Sequence, residues 1–98
     1  MSIDHVVLAL LSEKPRHGYA VRAELEARVG DLGEVGYAQV YGLLARLERQ
    51  GWVVPSVERH GRRTRKVYSI SPTGGRELRS WFSAVRAILR ALPLSPGD

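Results

Sequence analysis

The chain has 98 residues, no cysteine, a formal net charge of +5 at pH 7 and a sequence pI of about 10.2. This length allows one domain. The lack of cysteine excludes disulfides and thiolate metal sites and fits a reducing cytoplasm. A basic balance in so small a domain favours nucleic acid as the partner.

The first predicted helix covers residues 2–12, because apolar residues recur there at steps of three and four, with Ser2 as a cap. This apolar run is short and contains Asp4 and His5. We therefore expect neither a secretion signal nor a membrane span at this end. Pro15 and Gly18 follow and predict that this helix ends near Ser12.

Two more helices are predicted, over residues 17–29 and 37–50. Gly30 stands at the expected C-terminal cap of the second helix, and the glycine-rich segment 30–36 is predicted to be a loop. The third helix has an apolar stripe for the core: Val40, Leu43, Leu44 and Leu47.

Two strands are predicted next, over residues 52–58 and 65–71. Pro55 cannot donate to a ladder, which predicts an edge strand. The stretch 59–68, which includes the turn between them, holds five of the fifteen basic residues of the chain. Gly61 supplies a turn, so this basic segment is predicted to be a hairpin tip; a solvated flexible loop is the alternative.

The last predicted helix covers residues 71–92, with Ser71 as its cap, Pro72 at its first position and Pro93 after its end. The tail after it is expected to be disordered. A wide apolar stripe runs along this helix and exceeds what a small core can cover. This stripe predicts a dimer interface, together with packing on the first helix. Its residues are Leu78, Trp81, Phe82, Val85, Ile88, Leu89 and Leu92.

Three helices followed by a two-stranded ribbon predict a mainly α fold with a small β-hairpin, a winged helix-turn-helix with a C-terminal dimerisation helix. We expect residues 1–71 to form the DNA-binding domain, 72–92 the dimerisation helix in the same compact unit, and 93–98 a tail. In this architecture the third helix enters the DNA major groove and the wing contacts the backbone or the minor groove.

The candidate DNA contacts follow from that placement. Gln39 can read an adenine edge or contact a phosphate, and the hydroxyls of Tyr37 and Tyr41 can donate to phosphates. Arg46 lies about two turns after Gln39; the alternative is that Tyr41 is partly core and Arg46 only solvated. The wing candidates are basic residues suited to phosphates: Arg59, Arg62, Arg63, Arg65 and Lys66.

No enzyme is indicated. His5, His17 and His60 are scattered without metal-ligand spacing, and neither a phosphate-binding glycine loop nor a nucleophile elbow is present. We expect no cofactor and no metal. A winged-helix module that binds protein without specific DNA binding is the alternative function, and the basic wing argues against it.

Three stretches together resemble the PadR family of transcriptional regulators: HGYAV, QVYGLLARLERQGWV and GRRTRKVYSISPTG. The chain departs from the usual pattern at Gly42, where the family often has proline, at Val67, where it often has tyrosine, and at Gly75, which doubles a single glycine. The resemblance implies a homodimeric winged-helix repressor. Two recognition helices related by a two-fold axis would read an inverted-repeat operator. Some members bind phenolic or planar effectors, for which Trp81 is a candidate; plain packing of Trp81 is the alternative.

Overall fold

The computed structural model describes residues 3–30 and 35–93. It contains four helices and three strands, in the order α1 (Ile3–Glu13), β1 (Arg16–His17), α2 (Gly18–Val29), α3 (Tyr37–Arg49), β2 (Val53–His60), β3 (Arg63–Ile70) and α4 (Pro72–Ala91). The predicted cap Ser2, residues 31–34 of the predicted glycine-rich loop, and the tail from residue 94 lie outside the described residues. The predicted mainly α winged helix-turn-helix is confirmed.

The caps explain why the helix boundaries were predictable. Ser71 Oγ accepts a hydrogen bond from Gly74 N at the start of α4, and Gly30 ends α2 with a φ of 91°. Strand β1 was not predicted, because two residues are too few for an alternating pattern. Its second residue, His17, caps α2 through a ring nitrogen. Histidine is not among the usual N-cap residues, so the sequence did not predict this role.

The sheet is antiparallel, with strand order β1-β3-β2. The central strand β3 pairs with β2 from Val53↔Ile70 to His60↔Arg63 and with β1 at Arg16↔Tyr68 and His17↔Val67. Strand β2 is an edge strand, as Pro55 predicted. The pairing with β1 anchors the wing to the segment that opens α2.

One hydrophobic core joins α1, α2, α3 and the base of the wing. Its fully buried side chains are Val7, Leu8, Val21, Leu25, Val40, Leu44 and Leu47, and Val53, Tyr68 and Leu78 extend it. All four residues of the predicted α3 stripe are buried. This packing fixes the outward face of α3, which is the face available to a partner.

Ion pairs link α1 to α2 beside that core. Glu13 contacts both Arg16 and Arg28, at 2.9 and 2.8 Å, and Arg28 also binds Glu24 at 2.9 Å. The hydrogen bond from Arg28 lowers the pKa of Glu13 below its usual value, with smaller help from Arg16. These pairs tie the last turn of α2, and Arg16 just before His17, to the end of α1.

The chain is elongated, with extents of 55 × 29 × 19 Å and a radius of gyration of 15.2 Å. A compact domain of about 100 residues has a radius near 13 Å. Helix α4 has 20 residues, which corresponds to about 30 Å of length. Only Gly74 and Leu78, both in its first half, are buried. No helix in the described part of the chain is long and apolar enough to cross a membrane.

Candidate nucleic-acid interface

The tip of the wing is a two-residue turn between the paired residues His60 and Arg63. Gly61 has a φ of 65°, whereas Arg62 does not have a positive φ. A positive φ at the first turn position alone is typical of a type II′ hairpin, which matches the twist of the strands. The predicted hairpin tip is therefore confirmed, and the glycine is explained by its backbone conformation.

Three wing arginines are exposed and available: Arg59, Arg62 and Arg63. Within residues 3–30 and 35–93, none of them forms a salt bridge. Planar guanidinium groups on an exposed ribbon are well suited to phosphate oxygens. This part of the wing therefore concentrates positive charge that no salt bridge to another described residue offsets.

The two basic residues nearer the body are held by partners. Lys66 Nζ lies 3.2 Å from Glu48 Oε1 on α3, and that hydrogen bond raises the pKa of Lys66. Arg65 Nη1 lies 3.2 Å from His17 Nε2. Lys66 therefore links the wing to α3, while Arg65 links it to the start of α2.

The outward face of α3 is flat at its centre. Ala38, Gly42 and Arg49 follow one another at helical spacing opposite the buried stripe, and all are exposed. Apart from the nearby backbone of α3, no atom of the described residues lies within 4 Å of a β-carbon placed on Gly42, so packing against them does not require this glycine. Arg49 is a candidate contact that the sequence analysis did not select; its spacing from Ala38 and Gly42 was the available signal.

Gln39 and Arg46 are exposed on α3 but already have partners. Gln39 Oε1 accepts a hydrogen bond from Gly36 N at 3.0 Å, which caps the start of the helix. Arg46 Nη2 lies 2.7 and 2.9 Å from the two carboxylate oxygens of Asp4 on α1. Contact with DNA would leave the first bond intact, since the amide nitrogen of Gln39 stays available, but would compete with Asp4 for Arg46.

Tyr37 belongs to an exposed aromatic stack. Its ring stacks on that of Tyr19, with centroids 5.2 Å apart and planes at 10°, and Arg22 lies 5.8 Å from the Tyr37 centroid. The hydrogen bond with Tyr19 is the main cause that raises the pKa of the Tyr37 hydroxyl. Tyr19, which the sequence analysis did not select, is thereby placed at the same surface.

A cleft of about 340 Å³ lies where α2, α3 and β3 meet, lined by His17, Gly18, Tyr19, Tyr41, Thr64, Arg65 and Lys66. The Tyr41 ring lies so close to Gly18 that a β-carbon there would overlap it. This contact gives a physical reason for glycine in the His-Gly-Tyr stretch. Only the tertiary structure shows that His17 and Thr64 share this cleft with Tyr41 and the basic wing residues.

The predicted interface stripe of α4 divides into two parts. Leu78 is only 5% exposed and belongs to the core of its own chain, because the first half of α4 packs on α1, the packing that the sequence analysis expected alongside a dimer interface. Trp81 is partly buried, and its indole stacks on His5 with centroids 4.9 Å apart. The rest of the stripe is open, with Val85 half-buried and four exposed residues: Phe82, Ile88, Leu89 and Leu92.

The comparisons with known proteins come from sequence and from structure. The model of the transcriptional regulator PadR-like family matches residues 7–80. A probable transcriptional regulator of Mycobacterium tuberculosis, Rv1176c, is 33% identical over 97 residues, which cover 98% of this chain and 47% of that protein. The chain thus spans about half the length of this relative.

Two solved structures share the fold. A PadR family transcription regulator from Clostridium difficile R20291 superposes with a TM-score of 0.79 at 21% identity, over 91% of this chain and 92% of that one. Bacillus subtilis PadR in complex with operator DNA superposes with a TM-score of 0.74 at 21% identity, over 98% of this chain and 51% of that one.

The family consists of transcriptional regulators and not of enzymes. Within the described residues, no group of three or more metal-ligating side chains is placed to hold a metal ion. The family match covers most of the chain, and it includes α2, α3, the wing and the first half of α4. By this match, the chain belongs to the transcriptional regulator PadR-like family.

Proposed function

We propose that this regulator acts in the cytoplasm as a homodimeric repressor that binds double-stranded DNA at an inverted repeat. The observation that carries the proposal is the cleft in which α2, α3 and β3 meet, with exposed guanidinium groups on the adjoining wing. Bacillus subtilis PadR, whose structure contains operator DNA, has the same fold. A protein-binding module without DNA would have little use for Arg59, Arg62 and Arg63.

The placement of the elements supports one binding arrangement. Helix α3 enters the major groove with the face of Ala38, Gly42 and Arg49, because small side chains allow a helix to approach the bases closely. Gln39, Tyr41 and Arg46 flank that face. The wing follows the backbone, where Arg62 and Arg63 neutralise phosphates.

The dimer is proposed from the open part of α4. Phe82, Ile88, Leu89 and Leu92 are exposed although they are large and apolar, and a second copy of the same stripe covers them by two-fold symmetry. A further proposal is that a planar aromatic effector releases the protein from DNA by contacting Trp81, at the edge of the interface between the two α4 stripes. Quenching of Trp81 fluorescence by a phenolic acid, lost in Trp81→Leu but kept in Trp52→Phe, tests it.

Salt dependence tests the wing. If Arg62 contacts one phosphate, Arg62→Ala should reduce the slope of log K against log salt by about 0.9 per contact, hence about 2 per dimer. Affinity should fall about equally on all sequences. Arg76→Ala, on the solvent side of α4, is the matched control and should leave the slope unchanged. An Arg62→Ala slope equal to that of the wild type would exclude this contact.

Gln39 should show the opposite signature. Gln39→Ala removes the amide that can read a base edge, and urea denaturation of the variant checks that the fold survives loss of the hydrogen bond from Gly36 N. We expect a cost of roughly 1–3 kcal/mol per half-site on the preferred duplex, with relaxed preference at one position. Binding to a selected pool of duplexes measures it. Equal losses on every duplex would mean that Gln39 only positions the helix.

A further inference from the structure

The side chain of His17 lies beside two hydrogen-bond donors, Ala20 N and the guanidinium of Arg65. Its Nδ1 accepts from Ala20 N at 3.2 Å, and its Nε2 lies 3.2 Å from Arg65 Nη1. A guanidinium only donates, and a neutral imidazole has one acceptor and one N–H. Because Nδ1 is the acceptor that caps α2, Nε2 carries the hydrogen and faces a second donor.

Arg65 has unused hydrogen-bonding capacity of its own. Its Nε is buried and has no hydrogen-bond partner among the described residues. The same part of the chain supplies no carboxylate within salt-bridge distance of it, although Glu58 is its cross-strand partner. A full positive charge and an imidazole N–H thus meet at the wall of the cleft without an acceptor between them.

The groups around His17 favour its neutral form. Burial lowers the pKa of His17 most, and the charge of Arg65 on β3 lowers it further; on β2, Glu58 acts in the opposite direction and His60 in the same one. His17 is therefore a neutral N–H donor at physiological pH. Protonation of Nδ1 would also break the hydrogen bond that caps α2.

We propose that the cleft is a built site for one phosphate group, whose oxygen is shared by the Nε2–H of His17 and the guanidinium of Arg65. This inference rests on the proposed DNA binding for its ligand, a phosphodiester of the duplex backbone. Two nitrogens 3.2 Å apart can both donate to one oxygen at ordinary hydrogen-bond distances. Thr64 and Tyr41 line the same cleft, and the start of α2 adds the positive end of its dipole.

A phosphate bound at this site would connect the wing to the start of α2. A phosphate held between His17 and Arg65 ties the first residue before α2 to the central strand of the wing. The contact replaces two opposed donors by a shared acceptor. His17 is thereby a phosphate-binding residue in addition to a helix cap.

The first test uses inorganic phosphate on the whole chain at pH 7.5, with sodium chloride at equal ionic strength as the control. The ¹⁵N signals of the His17 imidazole are followed, and His5 on α1, which does not line the cleft, serves as the internal reference. We expect Nε2 of His17 to be protonated and to shift with phosphate, but not with chloride. A protonated Nδ1, or no shift in up to about 50 mM phosphate, would overturn the site whether or not the protein binds DNA.

The second test separates the cap from the phosphate contact. His17→Ser keeps an N-cap and removes the Nε2 donor, so the urea midpoint should stay near that of the wild type. Affinity for every duplex should fall about tenfold or more per contact, with an unchanged salt slope, because His17 is neutral. Arg65→Gln should instead reduce the slope by about 0.9 per contact. A folded His17→Ser protein with full affinity would refute the proposal, whereas failure of the wild type to bind any duplex would refute the proposed function.

Discussion

Replacing Val85 and Leu89 with glutamate is expected to convert the protein into monomers and to abolish binding to its operator. Both residues lie on the part of α4 that its own chain leaves open: Leu89 is 55% exposed and Val85 half-buried. Burial of a large apolar side chain contributes about 1.5–3 kcal/mol. The four exposed apolar residues together therefore represent much of the ~5–15 kcal/mol that stabilises a typical domain.

A matched control comes from the opposite side of the same helix. Ser83 and Ala87 are exposed and lie away from the stripe, so Ser83→Glu with Ala87→Glu adds the same two charges without entering the seam. Sedimentation should give monomers for the Val85/Leu89 variant and dimers for the Ser83/Ala87 variant. The unfolding midpoint of the wild type should rise with protein concentration, since dissociation is linked to unfolding.

Loss of the dimer should weaken binding to the operator more than binding to nonspecific DNA. Two α3 helices related by a two-fold axis read half-sites about one helical turn, or a multiple of it, apart. A monomer keeps its wing and loses this spacing. A Val85/Leu89 variant that remains dimeric and binds its operator at full strength would show that α4 is not the interface.

The sequence was informative where one local pattern decides the structure. The stripe of α3, the cap at Ser71 and Pro72, and the turn at Gly61 each involve residues close in the chain. Their elements were therefore predicted to within a few residues. Pro55 also identified the edge strand, because a missing N–H has the same consequence in any sheet.

The site was less predictable because its parts meet only through tertiary packing. The periodicity of α4 cannot tell that Leu78 is covered by α1 while Leu89 is not. No local pattern in the sequence reveals that Asp4 binds Arg46 from 42 positions away, or that His17 contacts Arg65. By charge alone, all five basic residues of the wing are equivalent. In the described part of the chain, however, Lys66 is paired with Glu48, whereas Arg62 forms no salt bridge.

The adjacent glycines at the start of α4 should respond to alanine in opposite ways. A β-carbon on Gly74 would overlap the backbone carbonyl oxygen of Trp52, whereas the nearest atom to one on Gly75 is Arg79 Nη1 at 3.5 Å. Trp52 is held in place, since its carbonyl oxygen accepts a hydrogen bond from Ser71 N at 2.9 Å. The backbone there cannot yield without loss of this contact.

Gly74→Ala is therefore expected to destabilise the protein by about 1–3 kcal/mol, the usual cost of overpacking a tight contact. Gly75→Ala should stabilise it by up to about 1 kcal/mol, because alanine is the better helix former. Urea denaturation at one fixed protein concentration measures both. Since Gly74 sets the distance between α4 and the base of the wing, its variant should also dimerise more weakly. Equal stabilities for the two variants would mean that α4 does not dock against Trp52 as closely as this geometry requires.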